Sequence, residues 1–115
     1  MPNRKHCAVV TGATKGIGWA IAERLLSDGM EVIVTGTSND ADYPVGSNYH
    51  QVDFLSDSST ENFINLLKHQ PIDILVNNAG INKVDEFENI DITDFENIQK
   101  VNLKAPFLLS QAVIP

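Results

Sequence analysis

Cysteine, histidine, positive charge and long apolar runs are all scarce in this sequence. Cys7 is the only cysteine, so no disulfide can form within the chain, and the three histidines are too scattered to suggest a metal site. Eight basic against fifteen acidic side chains give a net charge of -7, which repels a nucleic-acid backbone. No apolar run has the length of a membrane span, and no signal-peptide pattern is visible. We therefore expect a cytoplasmic protein without a metal, nucleic-acid or membrane partner.

Apolar residues occur in two different patterns along the chain. Short β-branched runs, such as EVIVT and IDILV, have the composition of buried strands. The spacing of Ile17, Ile21 and Leu25 predicts a helix of about three turns that ends at Gly29. The predicted strands cover 5–11, 31–35, 48–52 and 72–76.

A second helix is predicted after the third strand. Ser58 and Glu61 have capping-box spacing, and the apolar pattern behind them continues to about His69. The polar connection at 36–47 is expected to be a loop with at most one helical turn. Because strands alternate with helices, right-handed crossovers and a parallel sheet follow. We predict an α/β fold, a doubly wound parallel sheet within one domain over residues 1–115.

The segment TGATKGIG at 11–18 joins the first predicted strand to the first helix. Its glycines follow neither the G-x-G-x-x-G spacing nor the Walker pattern. Glycines at such a corner let the backbone turn sharply and let a ligand approach, and the free amides of a helix start attract a diphosphate. The same residues would suit a tight strand-to-helix corner without a ligand. Both interpretations are open from this turn alone.

Three motifs in order, TGATKGIG, NNAG at 77–80 and VNLKAPF at 101–107, resemble the signatures of the short-chain dehydrogenase/reductases. The resemblance covers nearly the whole chain and looks most like the NADP-dependent ketoacyl carrier-protein reductases. It implies a Rossmann-type domain that binds NAD or NADP and serves hydride transfer to or from a small-molecule carbonyl or alcohol. It also implies a homo-oligomer in the full-length form.

The resemblance also assigns residues to parts of the cofactor. The loop around the diphosphate would be Gly12, Ala13, Thr14, Lys15, Gly16, Ile17 and Gly18. Asp53, with Phe54 beside it, matches the acidic residue that meets the adenine amine, although a helix-start role suits Asp53 equally well. The segment beside the cofactor ribose would be Asn78, Ala79 and Gly80. For Asn77 we expect a role in holding neighbouring strands together.

Cofactor preference follows from charge at the end of the second strand. Enzymes that prefer NAD generally carry an acidic side chain there, which would repel a 2'-phosphate. Here Thr37 and Ser38 occupy that region, and Lys15 adds a cation in the glycine-rich turn. These residues favour NADP over NAD. Asp40 stands close by in sequence, however, and Lys15 would equally suit a solvated surface position.

The third motif places a proline inside a predicted helix. Thr93 and Glu96 have capping-box spacing, and helical periodicity continues past Pro106. Proline cannot donate to the carbonyl four residues earlier, which belongs to Asn102. A kink would therefore free the Asn102 carbonyl to hold a water, and the resemblance makes Asn102 the active-site asparagine. A proline kink without catalytic purpose is the alternative.

The catalytic tyrosine and lysine of the family have no match here. The residue four after Tyr43 is Ser47 and four after Tyr49 is Asp53, so neither tyrosine begins a Tyr-x-x-x-Lys motif. We therefore expect the amino-terminal portion of a reductase, with its sheet truncated after the fourth strand and the start of the following helix, and inactive alone. The alternative is a non-catalytic nucleotide-binding or interaction module.

Overall fold

The computed structural model describes residues 4–115, and its centre is a four-stranded parallel sheet. The strands are β1 (Cys7–Val10), β2 (Glu31–Gly36), β3 (Asn48–Gln51) and β4 (Ile74–Val76), in the order β3-β2-β1-β4. All three neighbouring pairs are parallel, as the alternation of strands and helices predicts. Residues 1–3, which the sequence pattern assigns to the same domain, lie outside the described residues.

Two helices connect strands of the sheet, and two more come after the last strand. They are α1 (Gly16–Ser27), α2 (Asp57–Lys68), α3 (Ile92–Gln99) and α4 (Ala105–Val113), with a π-helical turn at Lys100–Lys104 between the last two. A short 3-10 turn covers Phe87–Asn89. Residues 37–47 form no helix, which confirms the predicted loop between β2 and β3. Among residues 4–115, no helix combines the length and the apolar character needed to cross a bilayer.

Both faces of the sheet are covered by apolar side chains. On one face Val9 and Ile33 pack with Phe63 and Leu67 of α2 and Leu109 of α4. The opposite face carries a second cluster, formed by Val10, Ala13, Ala22, Val32 and Val34. Because side chains alternate between the faces of a strand, a strand buried on both sides reads as a continuous apolar run. The Rossmann-type α/β fold is therefore confirmed.

Two predicted helix caps are wrong by two residues. The cap of α2 is Ser56, whose hydroxyl accepts a hydrogen bond from the amide of Ser59, and Ser58 lies within the first turn. The cap of α3 is Asp91, whose carboxylate accepts from the amide of Thr93. In both cases several side chains able to cap stand close together, so spacing alone does not select one of them.

The helix expected to run through Pro106 is not one kinked α-helix. It consists of α3, the π-helical turn and α4, in which Pro106 occupies the first turn. The amide of Ala105 donates to the carbonyl of Lys100, five residues earlier. Proline is tolerated in a first turn because its missing N–H is not needed there. The chain thus accommodates the proline by a change of helical register.

Candidate nucleotide-binding site

A cavity of about 510 Å³ opens where the carboxyl ends of the strands meet the start of α1. In open parallel sheets this edge is the usual position of a ligand. Eleven of the predicted site residues line it, namely Gly12, Thr14, Lys15, Gly16, Ile17, Thr37, Asp53, Phe54, Asn78, Ala79 and Gly80. Four do not, namely Ala13, Gly18, Ser38 and Asn102. The sequence motifs therefore converge on one cavity, although these four residues are not part of its lining.

The first half of the glycine-rich turn is tied to neighbouring strands. Gly12 has a φ of 66° in the left-handed region, and a Cβ there would lie 2.8 Å from the Cα of Ala79. Its amide donates to the hydroxyl of Thr35 at 3.1 Å, and the amide of Ala13 donates to the Thr35 carbonyl at 3.0 Å. Only glycine fits at position 12, because both the space and the backbone angle exclude a side chain.

The second half of the turn is open. Gly16 also has a positive φ, 63°, but a Cβ there would meet no atom within 4 Å. The cap residue Lys15 makes no side-chain cap, and the first turn of α1 contains no acidic residue. The first amides of a helix have no partner within the helix and attract negative charge. The residues present thus fit a diphosphate.

Thr11 connects the turn to the NNAG segment. Its hydroxyl accepts from the amides of Asn78 at 3.0 Å and Ala79 at 2.9 Å. It is 2% exposed, so these hydrogen bonds are shielded from water. The hydroxyl also lies 3.5 Å from the carbonyl of Val76, at the end of β4. Thr11 therefore fixes the backbone of the segment that lines the cavity.

The side chain of Asn78 completes this connection. Its amide donates to the carbonyl of Gly12 at 3.0 Å. A Cβ at Gly18 would lie 2.5 Å from both the Asn78 side chain and the Gly12 carbonyl, so Gly18 packs directly against this hydrogen bond and no larger residue fits there. The strand-joining contact expected of Asn77 is made by Asn78, whereas the Asn77 side chain donates to Ser110 of α4 at 3.5 Å.

Asn102 lies outside the cavity but holds part of its wall. The side chain accepts from the amide of Ile81 and donates to the carbonyl of the same residue, both at 2.8 Å. A Cβ at Gly80 would approach the Asn102 Oδ1 to 3.4 Å. The π-helical turn thus carries an asparagine that fixes the end of the NNAG segment through both backbone groups of Ile81.

Asp53 and Phe54 form the wall on the side of α2. The Asp53 carboxylate accepts a hydrogen bond from the amide of Leu55 at 3.0 Å. The backbone amide of Asp53 donates to the hydroxyl of Ser59 at 2.9 Å. Since Ser56 caps α2, Asp53 is not its N-cap residue. Phe54 is buried and contacts Phe63 edge to face, with 6.5 Å between ring centroids. Asp53 therefore keeps an exposed carboxylate at the cavity, backed by an apolar ring.

Thr37 and Ser38 follow β2 and differ in their surroundings. Thr37 lines the cavity, and its carbonyl accepts from Gln51 Nε2 at 3.1 Å. The Ser38 hydroxyl donates to the carboxylate of Asp40 at 2.7 Å. This hydrogen bond lowers the pKa of Asp40, so the side chain remains an anion. The acidic residue near Thr37 and Ser38 that the sequence shows is thus an anion that accepts a hydrogen bond from Ser38.

A profile of the family described as short chain dehydrogenase matches residues 6–115. The chain belongs to this family. The match covers the glycine-rich turn, the NNAG segment and the π-helical turn with Asn102, which are the elements that surround the cavity. The resemblance stated from the three motifs is thus confirmed.

Individual proteins resemble this chain over most of its length. The 3-oxoacyl-(acyl-carrier-protein) reductase FabG of Aquifex aeolicus is 41% identical over 90% of this chain and 47% of its own. A metagenomic short-chain oxidoreductase solved in complex with NADP is 31% identical, with a TM-score of 0.79, over 93% of this chain and 54% of its own. A blue fluorescent protein from a metagenomic library, solved with NADPH, is 28% identical, with a TM-score of 0.82, over 94% and 49%. The chain spans about half the length of these relatives.

Thr11 is a site residue that the sequence analysis did not predict. A threonine directly before the first glycine of the turn is a visible signal, because a buried hydroxyl at a strand end needs hydrogen-bond partners. The two β3 side chains that contact the residues after β2, Tyr49 and Gln51, gave no such signal. In residues 4–115 no group of three or more acidic, histidine or cysteine side chains is placed to bind a metal.

Proposed function

We propose that this chain is the nucleotide-binding portion of an NAD(P)-dependent oxidoreductase. The single observation that carries the proposal is the start of α1, where free amides and the open space at Gly16 face a cavity at the strand ends. A diphosphate satisfies the amides and is attracted by the helix dipole. Residues 1–115 would then act as one dinucleotide-binding domain.

The bound dinucleotide would supply a hydride donor or acceptor at C4 of its nicotinamide. The residues of this chain bind and orient it. Of the turn Gly12–Gly18, the residues that line the cavity would contact the diphosphate, and the buried Ala13 and Gly18 would support them from behind. Asn78, Ala79 and Gly80 would lie along the ribose. Asp53 would accept a hydrogen bond from the adenine amine, while Phe54 excludes water behind it. The contacts of Thr11 and Asn102 hold this surface in place.

NADP is the preferred cofactor in this proposal. Lys15 lines the cavity as an exposed cation, and Thr37 offers a neutral hydroxyl at its edge. The relatives solved with NADP and NADPH lend support. A 2'-phosphate carries up to two negative charges, so a lysine within reach favours it. NAD would bind more weakly because it lacks this group.

Turnover is proposed to need residues outside these 115, since the chain contains no Tyr-x-x-x-Lys motif. The carbonyl of Asn102 is proposed to hold a water in the proton path of the complete enzyme. The same missing motif favours a second candidate function, a non-catalytic nucleotide-binding module. Because the Aquifex relative is named as a 3-oxoacyl reductase, 3-oxoacyl thioesters are the first carbonyl substrates to test.

Calorimetric titration of the chain with NADP and NAD tests the proposal. We expect binding of both, with NADP tighter, and no consumption of NADPH when a 3-oxoacyl thioester is added. Absence of binding by either nucleotide would contradict the proposal. Binding together with NADPH consumption would show instead that the chain carries its own proton donor.

A further inference from the structure

An ion pair joins the start of α2 to the π-helical turn across a cleft of about 290 Å³. Asp57 is the first residue of α2, and Lys100 is the first residue of the π-helical turn. The distance from Lys100 Nζ to Asp57 Oδ1 is 2.9 Å. The side chain of Asp57 is 69% exposed, whereas that of Lys100 is 30% exposed, so the cation is partly shielded from water.

The lysine at the other end of the π-helical turn also faces this carboxylate. Lys104 lines the same cleft as Asp57 and Lys100. The hydrogen bond from Lys100, then its charge and, more weakly, the charge of Lys104 lower the pKa of Asp57. One carboxylate of α2 therefore attracts the lysines at both ends of the turn.

The segments that the ion pair joins meet in the wall of the nucleotide cavity. Phe54 and Val101 belong to one buried cluster, are each 6% exposed, and both line the cavity. Asp57 follows Phe54 by three residues, and Lys100 directly precedes Val101. The ion pair thus lies close in sequence to both members of this apolar contact, one on each side of the cleft.

The π-helical turn depends on an unusual backbone hydrogen bond. The amide of Ala105 donates to the carbonyl of Lys100, whereas in an α-helix it would donate to the carbonyl of Val101. Asn102, which lies within the turn, makes both of its hydrogen bonds to Ile81. A return of the turn to α-helical register would therefore displace Asn102 from Ile81.

We propose that Lys100 and Asp57 are positioning residues of the nucleotide site. Their ion pair holds the π-helical turn against α2, which keeps Val101 in the cavity wall and Asn102 against Ile81. Neither residue of the pair lines the cavity, so both act through their neighbours. The inference rests on the proposed function and deepens it. Because ion pairs near the surface contribute little to global stability, the effect is expected in the local order of the turn and in nucleotide affinity.

Amide hydrogen exchange, followed by NMR, tests the order of the turn without a nucleotide. In Asp57→Asn the amides of Ile81 and Ala105 should exchange roughly two- to fivefold faster, as the loss of one ion pair near the surface implies. The amide of Asn78, which belongs to the same wall but does not contact the turn, should exchange as before. An equal rise at Asn78 would indicate a general loss of stability and would overturn the proposal, as would unchanged exchange at Ile81 and Ala105.

Three further variants isolate the ion pair. Lys100→Gln should reproduce the effect of Asp57→Asn, and the double variant should add little to either single change. Asp57→Glu keeps the charge and should restore slow exchange. The matched control is Glu61→Gln, since Glu61 lines the same cleft one helical turn further along α2 and forms no ion pair within residues 4–115. Faster exchange in this control would assign the effect to the charge of the cleft and overturn the proposal.

Calorimetric titration with NADP tests the link to the nucleotide site. Asp57→Asn and Lys100→Gln should both weaken binding, by roughly two- to threefold, while Glu61→Gln should leave it unchanged. Long-range charge alone would act in opposite directions, because one variant loses a negative charge and the other a positive one. Opposite changes, or no change, would therefore overturn the positioning role while the nucleotide site remains.

A different result would affect the function on which the inference rests. If NADP does not bind the unaltered chain, the proposed function fails, and the positioning role in nucleotide binding fails with it. The exchange rates of Ile81 and Ala105 would still decide whether the ion pair orders the π-helical turn.

Discussion

Gly16 and Gly29 share a left-handed backbone but lie in different places. Both have a positive φ, 63° and 88°, and a Cβ would meet nothing within 4 Å at either. Gly16 lines the cavity at the start of α1, whereas Gly29 follows the end of the same helix. Alanine variants at the two positions should therefore share the cost of backbone strain, and only the variant at Gly16 should also disturb the cavity.

Replacement of either glycine by alanine should lower the free energy of unfolding by about 1–2 kcal/mol, the usual cost of a left-handed residue with a side chain. Only Gly16→Ala should also weaken NADP binding, by roughly tenfold, because Gly16 lines the cavity and an added methyl group would take up space at the start of α1. Chemical denaturation and calorimetry measure the two effects. Equal nucleotide affinity in both variants would remove Gly16 from the site.

Asn102 and Asn77 form a second pair for comparison. Asn102 makes two hydrogen bonds of 2.8 Å to Ile81, while Asn77 makes one of 3.5 Å to Ser110. We expect Asn102→Ala to lower the free energy of unfolding by about 1–2 kcal/mol, since each net hydrogen bond contributes about 1 kcal/mol. Asn77→Ala should change it by less than about 0.5 kcal/mol. Urea denaturation measures both changes. A similar loss of unfolding free energy in the two variants would show that the hydrogen bonds to Ile81 do not stabilise the fold.

Between elements, the Arg4–Asp73 pair joins the residues that precede β1 and β4. Arg4 donates two hydrogen bonds to Asp73, at 2.8 and 2.9 Å, and the amide of Cys7 donates a third at 2.8 Å. These contacts, with that from Arg4 the largest, hold the pKa of Asp73 well below its usual range. The ionised form of Asp73 is therefore more stable in the folded chain than in the unfolded one.

This pair predicts an acid-dependent stability. Because the folded-state pKa is depressed, the contribution of Asp73 is complete above the ordinary aspartate pKa of about 4 and is lost as the pH falls below it. Thermal unfolding from pH 7 to pH 3 should show a shallower acid decline for Asp73→Asn than for the unaltered chain. Asp42→Asn serves as the control, and an unchanged slope for Asp73→Asn would refute the account of this ion pair.

The elements were predictable to different degrees from the sequence. The runs CAVV and EVIVTG form strands because their apolar side chains are buried on both faces, which composition alone indicates. The π-helical turn was not predictable, because a proline specifies only a lost donor and several backbone paths accommodate it.

The motif residues of the candidate site were identified by their resemblance to the family. The contacts of Tyr49 and Gln51 depend on the β2–β3 register, which no local pattern contains.

In the molecule as a whole, the π-helical turn and α4 expose large apolar side chains. Leu103 is 65% exposed and Phe107 is 60% exposed, one helical turn apart. Adjacent exposed apolar residues favour association, whereas a single one is common on a monomer. Val45, which is 97% exposed on the loop between β2 and β3, is such a single residue.

We therefore expect the chain to self-associate as its concentration rises. Replacement of both Leu103 and Phe107 by glutamate should shift it toward a monomer, because the charges would have to be buried on association. Val45→Glu, which adds charge elsewhere, should leave association unchanged. Sedimentation velocity over a concentration series measures this. A chain that stays monomeric at every concentration would contradict the expectation.

Amide chemical shifts during an NADP titration test the central claim most directly. The claim is that a diphosphate binds the open start of α1 at the strand ends. We predict that the largest shifts occur at Gly16, Ile17 and Gly18, followed by Asn78, Ala79 and Gly80. Largest shifts at the separate cavity of about 310 Å³ between β3 and α2, around His50 and Asn62, or no shifts at all, would contradict it.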